Sequence, residues 1–187
     1  MSTATTASST QREPELLGKT VVVIGGSAGI GLETARRARA EGADLILTAR
    51  DPDRLHRAGL ELGASTTAFD ATDFEQLGRF FNEVSKPIDH VLVTGLGPYY
   101  APPAEFDFEA ARRYLEAHIL LPLHVARNAA SKVRPGGTLL FMGGTGGRST
   151  APGLALISAL TAALPAMTKT SRSSSRPSES TSSLLAS

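Results

Sequence analysis

Five consecutive β-branched residues, Thr20-Val21-Val22-Val23-Ile24, run straight into the loop Gly25-Gly26-Ser27-Ala28-Gly29-Ile30-Gly31. An unbroken apolar strand offers no polar face to water, so it must be covered on both sides, as in a parallel sheet. The glycines remove Cβ atoms where the chain turns tightly and where a ligand or another backbone comes close. Leu32 to Glu41 then reads as a helix rich in Ala and Arg, ended by Gly42. The free N–H groups and positive dipole end of such a helix favour an anion held in the loop. A glycine pattern alone is a weak signal; the strand before it and the helix after it supply the context it needs.

The same alternation continues down the chain. Asp44 to Thr48 and Ser65 to Phe69 read as strands, and between them Asp51 and Pro52 open a helix to Leu62. Asp73 caps a helix in which Phe74, Leu77, Phe81 and Val84 keep helical spacing. His90 to Thr94 is a fourth strand, Asp107 to Lys132 a long helix that Pro122 should kink or break, Thr138 to Met142 a fifth strand, and Leu154 to Thr168 an apolar helix. Alternating strands and helices specify an α/β protein. The expected architecture is a three-layer Rossmann fold with a doubly wound parallel sheet, incomplete at its C-terminal edge. Its strand C-termini line one edge, where ligands bind in such sheets.

Composition narrows the function classes. A formal net charge of +1 gives no electrostatic reason for a nucleic-acid or anionic-membrane partner. The chain has no cysteine, which removes thiolate chemistry, and His56, His90, His118 and His124 lack zinc-ligand spacing. No apolar run has the length of a membrane span, and the N-terminus has no hydrophobic signal core, so a cytoplasmic location is expected. Residues 1–15 read as a disordered N-terminal segment, 16–168 as the nucleotide-binding domain, and 169–187 as a Ser-rich disordered tail. A codon set exists in which restoring one base after Lys169 turns that tail into an amphipathic continuation, so a frameshift near Lys169-Thr170 is one expectation for its origin.

The loop resembles that of the short-chain dehydrogenases/reductases, whose spacing is Gly-x-x-x-Gly-x-Gly with Ile30 between the last two glycines. Asp70-Ala71-Thr72-Asp73 is similar to that family's acidic motif after the third strand, where the Asp contacts adenine. Val91 to Gly97 stands in place of its Asn-Asn-Ala-Gly segment, with Gly97 kept and both asparagines gone. The resemblance covers about residues 17–168 and implies an NAD(P)-binding oxidoreductase acting on a carbonyl or alcohol. It points to Gly25, Ser27, Ala28, Gly29, Ile30, Gly31, Arg50, Asp70, Ala71, Thr94 and Gly95 as the cofactor-binding residues. An acid at the end of the second strand would bind the ribose diol of NAD. Here Ala49 is followed by Arg50, whose guanidinium suits a 2′-phosphate, so NADP is expected over NAD.

The resemblance also shows what is lacking. The family's catalytic Ser position falls on Gly144, its Tyr on Ile157, its Lys on Thr161 and its Asn on His118. Gly144 and Ile157 cannot donate a proton, so the standard chemistry has no carrier and no catalytic residue is assigned. Tyr99, Tyr100, Thr145 and His118 are substitutes in principle, but a substrate-loop or packing role for the tyrosines, a turn role for Thr145 and a hydrogen bond from His118 to a backbone carbonyl explain them more simply. A non-catalytic NADP-binding protein, or an inactive truncated product, is therefore the alternative to an active oxidoreductase. The small face Ala159, Ala162, Ala163 and Ala166 could serve a homodimer or pack within the chain; the substrate cannot be read.

Overall fold

The computed structural model describes residues 15–95, 97, 99–144 and 151–173. The expectations for segments 1–14 and 174–187, and for Thr145, lie outside the described residues. The chain divides into two compact units, one formed by residues 1–95 and 130–140 and the other by residues 96–129 and 141–187.

The first unit carries a sheet in the order β3-β2-β1-β4-β5. Its strands are β1 (Thr20–Ile24), β2 (Asp44–Ala49), β3 (Ser65–Ala68), β4 (Ile88–Val93) and β5 (Val133–Phe141), the last reaching one residue into the second unit. β1 pairs in parallel with β2 and β4, and β2 in parallel with β3. The switch point thus lies beside β1, where sequence order reverses and such sheets take their ligands. Every residue of β1 is buried, as its unbroken β-branched run requires.

Helices α1 (Gly29–Ala40) and α2 (Pro52–Leu62) cover one face of the sheet. Ala35, Ala38, Leu55, Ala58 and Leu62 pack there against Val21, Val23, Leu45 and Leu47. Helix α3 (Phe74–Glu83) covers the other, beside Ile46, and buries Leu77, Phe80 and Phe81. These are the three expected layers. β5 has a broken burial pattern and closes the sheet's order with nothing beyond it among the described residues.

Several boundaries differ from expectation. β5 begins five residues earlier than Thr138, because the Lys132 carbonyl already accepts the Ile88 N–H at 2.9 Å. Arg134-Pro135-Gly136-Gly137 looks like a turn in sequence, but an edge strand tolerates a proline with no ladder bond to make. In the second unit, α4 (Phe108–Ala129) runs through Pro122 without a break. Burial of Leu121, Pro122, Val125 and Ala129 offsets the one backbone bond the ring removes. Helix α5 (Ala155–Ser173) continues past Thr168. Glu15, expected at the end of the disordered segment, donates its N–H to Glu41 at 3.1 Å. Among the described residues no helix is long and apolar enough to cross a membrane.

Candidate functional site

The glycine loop is built by close backbone approach. The Gly25 and Gly26 N–H groups both donate to the Thr48 carbonyl, at 2.8 and 3.0 Å. Gly25 has φ +87°, and a Cβ there would lie 2.7 Å from the Thr94 hydroxyl and carbonyl oxygens. A Cβ at Gly31 would run into the Gly25 carbonyl oxygen. Thr94 pins this crossing: its N–H donates to the Ile24 carbonyl at 2.8 Å and its hydroxyl to the Gly25 carbonyl at 3.2 Å. Gly95 follows at φ +89° with no side chain to cover the loop.

The three helices of this unit start differently. The Asp51 side chain caps α2 by accepting the Arg54 N–H, and Asp73 caps α3 by accepting the Glu75 and Gln76 N–H groups. Both helices also carry an acid in the first turn, Asp53 and Glu75. α1 opens on Ala28, with no side-chain cap and no acid in its first turn. Its first amides are left for an anion, and the alanine and glycines leave room for one. Ser27 is half-buried, Ala28 and Gly29 are exposed, and Ile30 is 60% exposed although apolar. Ile30 thus presents an apolar surface at the rim of the glycine loop.

Arg50 stands exposed at the end of β2 and has no ion-pair partner among the described residues. The neighbouring Asp51 does not neutralise it. One Asp51 oxygen accepts the Arg54 N–H at 3.0 Å, and the other lies 2.8 Å from Arg54 Nε. The Arg54 backbone bond, reinforced by the Arg54 charge, holds the Asp51 carboxyl below its ordinary range against the opposing effect of desolvation. Asp70, after β3, is half-buried, and its Oδ1 accepts both the N–H and the hydroxyl of Thr72, at 2.9 and 2.8 Å. That turn fixes the acidic motif, with Ala71 half-buried inside it.

In the second unit, Tyr99, His118 and Thr161 each have a local hydrogen-bond partner. The Tyr99 hydroxyl accepts the Asp107 N–H at 3.1 Å and donates to the Asp107 carbonyl at 3.3 Å, beside the start of α4. His118 Nδ1 lies 2.9 Å from the Tyr114 carbonyl, so Nδ1 carries the proton and Nε2 the lone pair. Burial lowers the His118 pKa, more than that hydrogen bond raises it. The Thr161 hydroxyl donates back to the Ile157 carbonyl at 2.9 Å. Tyr100 is 63% exposed, and Gly144 lies exposed beyond β5. The packing reading of Tyr99 and the carbonyl-bonding reading of His118 hold.

Two arrangements escape a reading by motif. Asp89 is buried at the start of β4 and accepts the Thr20 N–H at 2.9 Å, with Lys19 at 3.5 Å and Arg134 at 3.4 Å. It ties β1, β4 and β5 together at the edge opposite the glycine loop, so it is structural. Arg54 is the second; an acid and a base three apart at a helix start was the available signal.

Comparison with known proteins follows this geometry. Residues 19–179 match the short chain dehydrogenase family. The chain is 30% identical over 155 residues to the "Cyclic-di-GMP-binding biofilm dispersal mediator protein" of Escherichia coli (strain K12), covering 81% of this chain and 65% of that protein. It is 25% identical over 172 residues to the "Short-chain dehydrogenase/reductase ATR9" of Stachybotrys chlorohalonatus, covering 83% of this chain and 68% of the relative. Among solved structures, BdcA in complex with NADPH superposes with a TM-score of 0.75 at 28% identity, over 81% of this chain and 63% of that one. The chain thus spans about two thirds of the length of these relatives.

Proposed function

Since the chain belongs to the short-chain dehydrogenase family, we propose that its glycine loop, Arg50 and the Asp70 turn bind NADP(H) in preference to NAD(H). The observation that carries the choice of cofactor is Arg50, exposed and unpaired among the described residues beside an Asp51 already occupied by Arg54. A free guanidinium suits a 2′-phosphate, whereas a free carboxylate would suit a ribose diol. Gly25, Ser27, Ala28, Gly29, Ile30 and Gly31 hold the pyrophosphate against the uncapped start of α1. Asp70 and Ala71 border the adenine, and Thr94 and Gly95 floor the loop. The relative solved with NADPH supports this reading.

When bound, NADPH supplies a hydride. The protein must supply a proton and a grip on the substrate carbonyl, and among the described residues at the family's catalytic positions none is suited to that part. Ile157 has no titratable group, Gly144 has no side chain, and the Thr161 hydroxyl is turned back into its own helix. We therefore read the chain as binding the cofactor without the family's usual proton transfer. The E. coli relative is named for cyclic-di-GMP, which makes that dinucleotide the second ligand to try. Ala159, Ala162, Ala163 and Ala166 are all exposed on α5, so they favour self-association over packing within the chain. Sedimentation that stays monomeric at high concentration would remove that part.

The test is titration of the full chain with NADPH, NADH and cyclic-di-GMP, followed by a screen of carbonyl substrates. NADPH is expected to bind most tightly without turnover. Arg50→Ala should weaken NADPH by about tenfold or more, the loss of a charge-assisted contact, and NADH by much less. Equal losses for both cofactors would overturn the assignment of Arg50, and turnover would overturn the non-catalytic reading.

A further inference from the structure

We propose that Arg54 sets cofactor specificity without touching the cofactor: it keeps Asp51 neutralised, so that a ribose 2′-phosphate meets the positive charge of Arg50 unopposed. The inference rests on the reading of the glycine loop and Arg50 as an NADP(H) site. β2 ends in Ala49-Arg50-Asp51, and α2 begins Pro52-Asp53-Arg54. The residue that favours a phosphate is thus followed at once by one that repels it. Left free, Asp51 would either pair with Arg50 or set its own charge against the dianionic phosphate.

The structure prevents both through one residue. Arg54 occupies the two Asp51 oxygens at once, Oδ1 through its backbone N–H at 3.0 Å and Oδ2 through Nε at 2.8 Å. The backbone half of this grip is a helix cap and survives any substitution of the side chain. The side-chain half is an ion pair between groups that are 60% and 42% exposed, and such pairs add little stability. The charge of Arg54 can therefore be removed without unfolding α2. What changes is the field at Arg50, where a carboxylate a few ångströms from a dianion costs roughly three- to tenfold in Kd at low ionic strength. An uncharged ribose diol does not feel that change.

The experiment measures Kd for NADPH and for NADH with the full chain and its Arg54→Gln, Arg54→Lys, Asp51→Asn and Asp51→Asn/Arg54→Gln variants, at low and at high salt. Arg54→Gln should weaken NADPH by about three- to tenfold and NADH by less than about twofold, with the gap closing at high salt. Arg54→Lys should restore most of the preference. In the Asp51→Asn background the Arg54→Gln substitution should have no further effect, because the charge it was holding is gone. Equal weakening of both cofactors, or a loss that persists with Asn at position 51, would overturn the inference. If the unmodified chain does not bind NADPH, or if Arg50→Ala binds it as well, the site reading fails and takes this inference with it. If Arg50 matters and Arg54 shows either of the two contrary results, the inference alone fails.

Discussion

In the unit that carries β1 to β4, the sheet and the helix faces against it bury their large apolar side chains, while Leu17, Ile30, Leu60 and Leu140 stay exposed outside that core. Val22, Val23, Leu47, Leu77, Phe81 and Ile88 have no exposed surface at all. Along α4, in the second unit, residues of the same kind stay open: Leu115, Leu120 and Leu123 are 39%, 38% and 42% exposed. Polar groups follow the same division. In the first region a buried carboxylate, Asp89, has a backbone N–H and two cations around it. In the second, the Tyr114 hydroxyl is buried without closing a hydrogen bond among the described residues. The first region surrounds its buried carboxylate with donors, and the second leaves a buried hydroxyl unpartnered among the described residues. The glycine loop and Arg50 lie wholly within the first region.

Core truncation is the strongest way to probe this contrast. Leu47→Ala opens a cavity at a position with no exposure and should cost about 2–5 kcal/mol in denaturant unfolding. Leu123→Ala on α4 should stay within about 0.5 kcal/mol. Similar losses at both positions would show that the α4 face is covered in solution, and the contrast would fail.

Asp89 is the next probe. Burial pushes its carboxyl up, but the Thr20 N–H, Arg134 and Lys19 together outweigh that and hold it below the ordinary value. Asp89→Ala should cost about 2 kcal/mol, because it leaves the Thr20 N–H without its acceptor. The sign of the pH dependence follows from the lowered folded pKa. The contribution is complete above the unfolded carboxyl's pKa, about 4, and is lost as pH falls through the lower folded value. Acid titrations of stability should therefore be flatter for Asp89→Asn than for the unmodified chain below about pH 4. Parallel curves would mean that Asp89 titrates alike in both states.

The smallest expected effect is at Tyr114. Burial raises its pKa, against a weaker opposing influence of the Tyr99 backbone. Removing an unsatisfied hydroxyl while keeping the ring should be neutral or stabilising by up to about 1 kcal/mol, so Tyr114→Phe should leave the thermal midpoint unchanged or raise it. A clear loss of stability would show that the hydroxyl has a partner in solution.

How much of this was legible in the sequence follows the same line. β1 was read to the residue, as were the Asp51 and Asp73 caps, because a β-branched run and an Asp before a helix act through their immediate neighbours. The start of β5 was not, since Lys132 pairs with Ile88, a residue far away in sequence. Pro122 looked like a helix breaker because local cost was visible and burial was not. The glycine loop was legible from its glycines between a strand and a helix, and Arg50 was singled out only through the resemblance to the family. The roles of Asp89 and Arg54 needed coordinates, because each depends on which charge a flexible side chain has chosen.

The most direct measurement is the binding of NADPH and of NADH to the unmodified chain at one pH and one ionic strength, by calorimetry or by the change in nicotinamide fluorescence. NADPH is expected to bind at least about tenfold more tightly, the difference a single charge-assisted phosphate contact gives. Equal affinities, a preference for NADH, or no binding of either would contradict the assignment of the glycine loop and Arg50 as an NADP(H) site.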